Sequence, residues 1–212
     1  MANFQEIRDN LMKGKAPIVK ELVQKAIDEN VPVEQILTQG LIAAMAVVGD
    51  RFRKNEVYVP EVLIAARAMK AGMELLKPLL AKSGIQPVGT VVLGTVKGDL
   101  HDIGKNLVGM MLEGAGFAVV DAGIDVSPEK FVEAIKSSKA GVIAMSALLT
   151  TTMPMMKNVV EAIGAAGLKG QVKTMIGGAP VTQSYAEEIG ADGYGKDASS
   201  AVLVAKQLLG VA

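Results

Sequence analysis

The apolar residues of this chain change their period once, and that change limits what the chain can fold into. From residue 1 to about 82 they recur at steps of three and four, the spacing that lines one face of an α-helix. Asn3 is placed to cap a first helix. Pro17 falls in the first turn of a second that carries Ile18, Leu22, Val23 and Ile27, and Pro32 opens a third through Ile36, Leu41, Met45 and Val48. After Pro60, the residues Val62, Ala66, Met69, Met73, Leu76 and Leu80 fall on one stripe of a fourth helix. Such stripes must be buried, and four amphipathic helices covering one another form a four-helix bundle.

The turn-rich stretch from Ser83 to Gly89 ends this pattern, which gives an expected helical domain over residues 1–86 and a second domain over 87–212. Beyond it, short β-branched runs alternate with helical stretches. The runs are Thr90 to Val96, Ala118 to Asp121, Gly141 to Ser146, Val172 to Ile176 and a weak one near Asp192 to Tyr194. This alternation predicts a flavodoxin-like, doubly wound α/β domain with a five-stranded parallel sheet. Ligands of such a sheet sit beyond the carboxyl ends of its strands, so functional residues are expected just after each run.

Composition removes several classes of function. Lys plus Arg and Asp plus Glu are each 22, so there is no basic excess to neutralise a nucleic acid backbone. Trp is absent and aromatic residues make up 3%, which leaves few platforms for stacking bases. With no cysteine and one histidine, the chain offers neither thiolates nor a multi-imidazole metal site. The N-terminal sequence lacks the apolar core of a signal peptide, and no apolar run approaches the roughly 18 to 20 residues of a membrane span, so a cytoplasmic protein is expected.

The loop after the first predicted strand holds the unusual residues: Lys97-Gly98-Asp99-Leu100-His101-Asp102-Ile103-Gly104-Lys105-Asn106. A histidine two residues beyond an aspartate can give its Nδ1 proton to that carboxylate, which fixes the tautomer and leaves the other nitrogen as a metal donor. Gly104 removes a side chain where a bulky ligand would approach. No Gly-x-Gly-x-x-Gly or Walker pattern follows the strand, which disfavours nicotinamide and ATP sites.

Asp99-x-His101-x-x-Gly104, Ser146-x-Leu148 after the third run and Gly177-Gly178 after the fourth together resemble the cobalamin-binding motif of methionine synthase and corrinoid methyltransferase proteins. Each piece alone recurs by chance; their joint order and spacing carry the resemblance. The resemblance implies that His101 binds cobalt from below in place of the cofactor's own dimethylbenzimidazole base, with Asp99 tuning it and Thr152 as the hydroxyl partner of Asp99. It further implies that Asp102 and Ile103 border the cofactor and that Ser146 hydrogen-bonds the displaced base region. Leu148 and Thr150 would line the pocket of the nucleotide tail, and Gly177 and Gly178 would let the tail pass close to the backbone. The helical half is similar to the cap of methyl-transferring corrinoid proteins, in which Met69 and Met73 would face the upper side of the cobalt. As plain core filler those two methionines need no such role.

The function so implied is a methyl carrier served by a substrate-specific methyltransferase, an acceptor methyltransferase and a reductive activator, with Ser83 to Gly89 as a hinge. No other constellation in the chain is suited to activating a methyl donor. Two rivals use the same motif: the cobalamin subunit of a carbon-skeleton mutase, whose small subunits generally lack the helical cap, and a cobalamin-dependent sensor, which needs an output region that is not evident here.

Overall fold

The computed structural model describes residues 3–211. The chain divides into two compact units: residues up to Gln86 together with Gly114–Gly116, and Pro87–Glu113 with the chain from Phe117 onward.

In the helical unit, α1 (Phe4–Met12) starts where the Asn3 side chain accepts a hydrogen bond from the Glu6 amide at 3.2 Å. Pro17 occupies the first turn of α2 (Ala16–Asp28). The third helix differs from the expected plain α-helix. It runs continuously through α3 (Val33–Gln35), a π-helical segment Ile36–Ile42 and α4 (Ala43–Arg53). The reason lies in the apolar spacing: Ile36 and Leu41 are both buried yet five residues apart, and the wider π turn brings them to the same face. The Arg8 guanidinium donates to the Gln39 carbonyl inside that segment at 2.8 Å. Helix α5 (Val59–Ser83) opens with the Tyr58 amide donating to Glu61 at 3.0 Å and stops at Gly84, whose φ of 72° is left-handed. Ile7, Leu11, Val19, Val23, Leu41, Met45, Val62 and Leu76 form the core. Gly72 is needed there, because a Cβ would stand 3.0 Å from both methyl carbons of Leu41.

In the α/β unit the elements are β1 (Thr90–Val96), α6 (Ile103–Gly114), β2 (Ala118–Val126), α7 (Pro128–Ser138), β3 (Val142–Ser146), α8 (Pro154–Ala165), β4 (Lys173–Gly177), α9 (Gln183–Ile189), β5 (Gly193–Gly195) and α10 (Ala198–Leu209). All neighbouring strands pair in parallel in the order β2-β1-β3-β4-β5, the doubly wound arrangement whose crossover point lies between β1 and β3. Strands β1 and β3 are buried along nearly their whole length, as helices on both faces require.

Strand β2 runs five residues beyond the Asp121 end expected from its β-branched run. Gly123 and Asp125, which read as turn residues, lie inside it at φ 91° and 53°, and the register against β1 shifts twice between Leu93 and Val96. The two shifts absorb the additional residues, so β2 ends level with β1, Val126 opposite Val96, and Asp125 lies beside the loop that holds His101.

Candidate cofactor site

The carboxyl ends of β1 and β3 bring together residues nearly 50 positions apart around one carboxylate. Asp99 is fully buried. Its Oδ1 lies 2.7 Å from His101 Nδ1 and accepts the His101 amide at 3.1 Å. Its Oδ2 accepts the Leu148 amide at 2.8 Å, the Leu149 amide at 3.4 Å and the Thr152 hydroxyl at 2.8 Å. Thr152 is placed by the turn that leads into α8, where its amide donates to the Leu149 carbonyl.

The His101 side chain is 51% exposed although its partner is buried. Its backbone is fixed from below, since the Thr95 hydroxyl on β1 donates to the His101 carbonyl at 2.8 Å. At the carboxyl ends of the same strands, apolar side chains are exposed on the loops after β1 and β3, at the start of α6 and near the end of β2: Leu100 at 67%, Ile103 at 79%, and Leu148, Leu149 and Ile124 at about two fifths each. Exposed apolar residues gathered at one end of a sheet mark a binding surface.

The other expected residues take separate places. Asp102 precedes α6, is exposed, and accepts from the Asn106 side chain at 3.0 Å. A Cβ on Gly104 would meet open space. Ser146 ends β3, paired between Thr95 of β1 and Gly177 of β4, and Thr150 is exposed in the turn after β3. Gly177 and Gly178 are crowded by the protein's own backbone: a Cβ would lie 2.8 Å from the Gly195 carbonyl oxygen and 1.9 Å from that of Ala147, respectively. In the helical unit, Met69 is buried and Met73 half-buried on α5.

Comparison with known proteins decides the family. Residues 89–203 match a B12 binding domain family, and residues 4–77 match a second B12 binding domain family. The chain belongs to the B12-binding corrinoid proteins. It is 40% identical to a corrinoid protein of Desulfitobacterium hafniense strain Y51 over 99% of both chains. It is 43% identical to trimethylamine corrinoid protein 1 of Methanosarcina mazei over 99% of this chain and 100% of that one. Among solved structures it resembles the methanol:cobalamin methyltransferase complex MtaBC from Methanosarcina barkeri, with a TM-score of 0.87, 31% identity and coverage of 98% of this chain and 79% of that chain.

The residues present fit a corrinoid. With one histidine and no cysteine in the sequence, the chain can offer a metal a single nitrogen, which suits a cobalt that brings its equatorial donors with it. An ionised carboxylate can only accept, so Nδ1 carries the proton and Nε2 keeps its lone pair. Burial by itself would raise the Asp99 pKa. The hydrogen bonds from the Leu148 amide, the His101 imidazole, the His101 amide and the Thr152 hydroxyl outweigh it and hold the carboxyl well below the ordinary aspartate range. The apolar crown then supplies a surface for a large, flat, mostly apolar ring.

Several residues that shape this site carry no motif. Thr95 reads only as a β-branched strand residue, yet it is buried and holds His101. The amides of Leu148 and Leu149 complete the Asp99 shell through the backbone, which no side-chain pattern reveals. Lys105, 3% exposed, extends its ammonium to Asp121 at 2.5 Å.

Proposed function

We propose that this corrinoid protein is a methyl carrier, loaded by a substrate-specific methyltransferase, unloaded by an acceptor methyltransferase and restored by a reductive activator. When bound, the corrinoid supplies a cobalt centre that can take up a methyl group and give it up again. His101 would hold the cobalt through Nε2, with Asp99 keeping the imidazole in the donor tautomer and Thr152 closing the relay with its hydroxyl. Ser146 would hydrogen-bond the displaced base region, Leu148 and Thr150 would line the pocket of the nucleotide tail, and Gly177 and Gly178 would let the tail pass close to the backbone. Asp102, Ile103 and Gly104 border the ring.

The observation that carries this reading is the half-exposed imidazole, anchored by a fully buried carboxylate, with apolar side chains exposed at the carboxyl ends of the same strands. Nearby, Thr152 and the backbone amides are spent on holding Asp99, which leaves them no part in activating a methyl donor. The chain therefore depends on partners for both transfers, and relatives whose names point to trimethylamine and methanol systems support that dependence. In this reading residues 1–86 act as the cap, Met69 and Met73 protect the methyl group, and Ser83 to Gly89 is the tether that lets a methyltransferase in. No helix among the described residues is long and apolar enough to cross a membrane.

The test is to load the chain with cobalamin and offer it a radiolabelled methyl donor together with methyltransferases specific for trimethylamine, dimethylamine or methanol. Label appearing on the wild-type chain with one of these enzymes, and passing to an acceptor on addition of a second methyltransferase, is the expected result. A chain that binds cobalamin yet takes label from none of them contradicts the carrier role.

A further inference from the structure

The loop that carries His101 is held by β2 through hydrogen bonds that do not involve the imidazole. Asp125 is one of four non-glycine residues among those described with positive φ, at 53°, a region that L side chains seldom enter. There it makes two hydrogen bonds to the same turn. Its Oδ1 accepts the Gly98 amide at 2.7 Å, and its own amide donates to the Asp99 carbonyl at 3.1 Å. One residue thus grips the backbone on both sides of the bond between Gly98 and Asp99. The far end of the loop is tied to the same strand, where Asp121 Oδ2 takes the buried ammonium of Lys105 and Oδ1 takes the Gly123 amide at 2.9 Å.

We propose that Asp125 is a positioning residue for the cofactor site: its carboxylate, presented by the strained end of β2, fixes the backbone of Asp99 and thereby the imidazole of His101. The proposal rests on the assignment of His101 as axial ligand. Asp125 hydrogen-bonds to neither the imidazole nor the Asp99 carboxylate, so its hold on the site passes through the backbone. The left-handed conformation is part of the device, since it turns both the amide and the carboxylate of one residue toward the Gly98-Asp99 turn.

Three variants separate the grip from the strain. Asp125→Gly adopts the positive φ freely but lacks the acceptor, Asp125→Asn keeps an acceptor oxygen and tolerates that conformation, and Asp125→Ala loses both. Hydrogen exchange at the Gly98 amide is measured by NMR in the cofactor-free chains. Histidine coordination is then read from the absorption spectrum of the cobalamin-loaded chains, with His101→Ala as the reference for its loss. The expected result is exchange at Gly98 faster by roughly tenfold in Asp125→Gly, with a spectrum shifted toward that of His101→Ala, and near wild-type behaviour in Asp125→Asn. Unchanged exchange in Asp125→Gly overturns the grip whatever the cofactor does. Faster exchange with an unchanged histidine-coordinated spectrum overturns the positioning role. A wild-type spectrum identical to that of His101→Ala shows instead that the axial assignment has failed, and the positioning role falls with it.

Discussion

Asp99 Oδ1 and His101 Nδ1 lie 2.7 Å apart, joining a carboxylate with no exposed surface to an imidazole that is half open to solvent. The pair is lopsided by construction. The buried member is held by the His101 amide and by two amides and a hydroxyl from the turn after the neighbouring strand β3, and the open member is left with one nitrogen to offer. An axial ligand for a bound metal ring needs this division, because its orientation must be set before the ring arrives.

Thr152 contributes to that setting through one atom. Thr152→Val keeps the shape and removes the hydroxyl from a buried, charged acceptor, which is expected to cost about 1 to 3 kcal/mol of stability in the cofactor-free chain. Thr152→Ser is expected to recover most of it. Urea unfolding of both variants measures the difference, and equal stability of the valine variant and wild type would remove the hydroxyl from the relay.

Ile103 is the most exposed apolar residue of the crown and touches little of the protein. Ile103→Ser is expected to leave stability within about 0.5 kcal/mol of wild type. If a corrinoid covers this side chain, affinity for cobalamin falls by roughly 5- to 30-fold, the equivalent of burying about 1 to 2 kcal/mol of apolar surface. Equilibrium titration followed by absorbance separates the two effects.

Gly178 and Gly190 both have positive φ and differ in their surroundings. A Cβ on Gly178 would collide with the Ala147 carbonyl oxygen, whereas one on Gly190 would meet nothing within 4 Å. Gly190→Ala is expected to cost about 1 kcal/mol from backbone strain alone, and Gly178→Ala more than about 3 kcal/mol or the fold itself. Comparable unfolding midpoints for the two variants would mean that β3 and β4 separate more easily than their register indicates.

Asp192 offers a pH-dependent element away from the site. Burial would raise its pKa, but the Thr174 amide at 2.8 Å, the Thr174 hydroxyl at 3.0 Å and Lys173 at 3.3 Å lower it below the ordinary aspartate value. A depressed carboxylate stabilises the fold above its unfolded-state pKa and loses that contribution as pH falls through the lower folded value. Asp192→Asn is expected to be less stable than wild type at neutral pH, with the gap closing as the solution is acidified. Thermal unfolding across that range checks the sign, and a gap that widens in acid would contradict it.

Much of this molecule was legible in its sequence, for reasons that differ from place to place. The helical unit declared itself because amphipathic spacing persists over whole helices, and the buried strands did so because burial on both faces of β1 and β3 demands nearly continuous apolar runs opened by β-branched residues. The pairing of Asp99 with His101 was visible because the two sit two residues apart in a recognisable motif. Thr152 was reached only through that resemblance, since its link to Asp99 spans 53 residues. The end of β2 was hidden because Gly123 and Asp125 advertise a turn, and only the backbone shows that they continue a strand. Thr95, Leu149 and Lys105 were hidden for a related reason: their contributions are set by strand register and burial, which local pattern does not encode.

Because the chain has a single histidine, labelling histidine alone labels the proposed ligand alone. The most direct measurement is the electron paramagnetic resonance spectrum of the chain loaded with cobalamin in its paramagnetic, singly reduced state. It compares protein made with ordinary histidine and protein made with histidine carrying the heavy nitrogen isotope. If His101 binds cobalt, the hyperfine pattern from the axial nitrogen changes from a three-line to a two-line splitting on labelling, and it disappears in His101→Ala. If the pattern is unaffected by the label, the axial nitrogen belongs to the cofactor's own base and the central assignment is wrong.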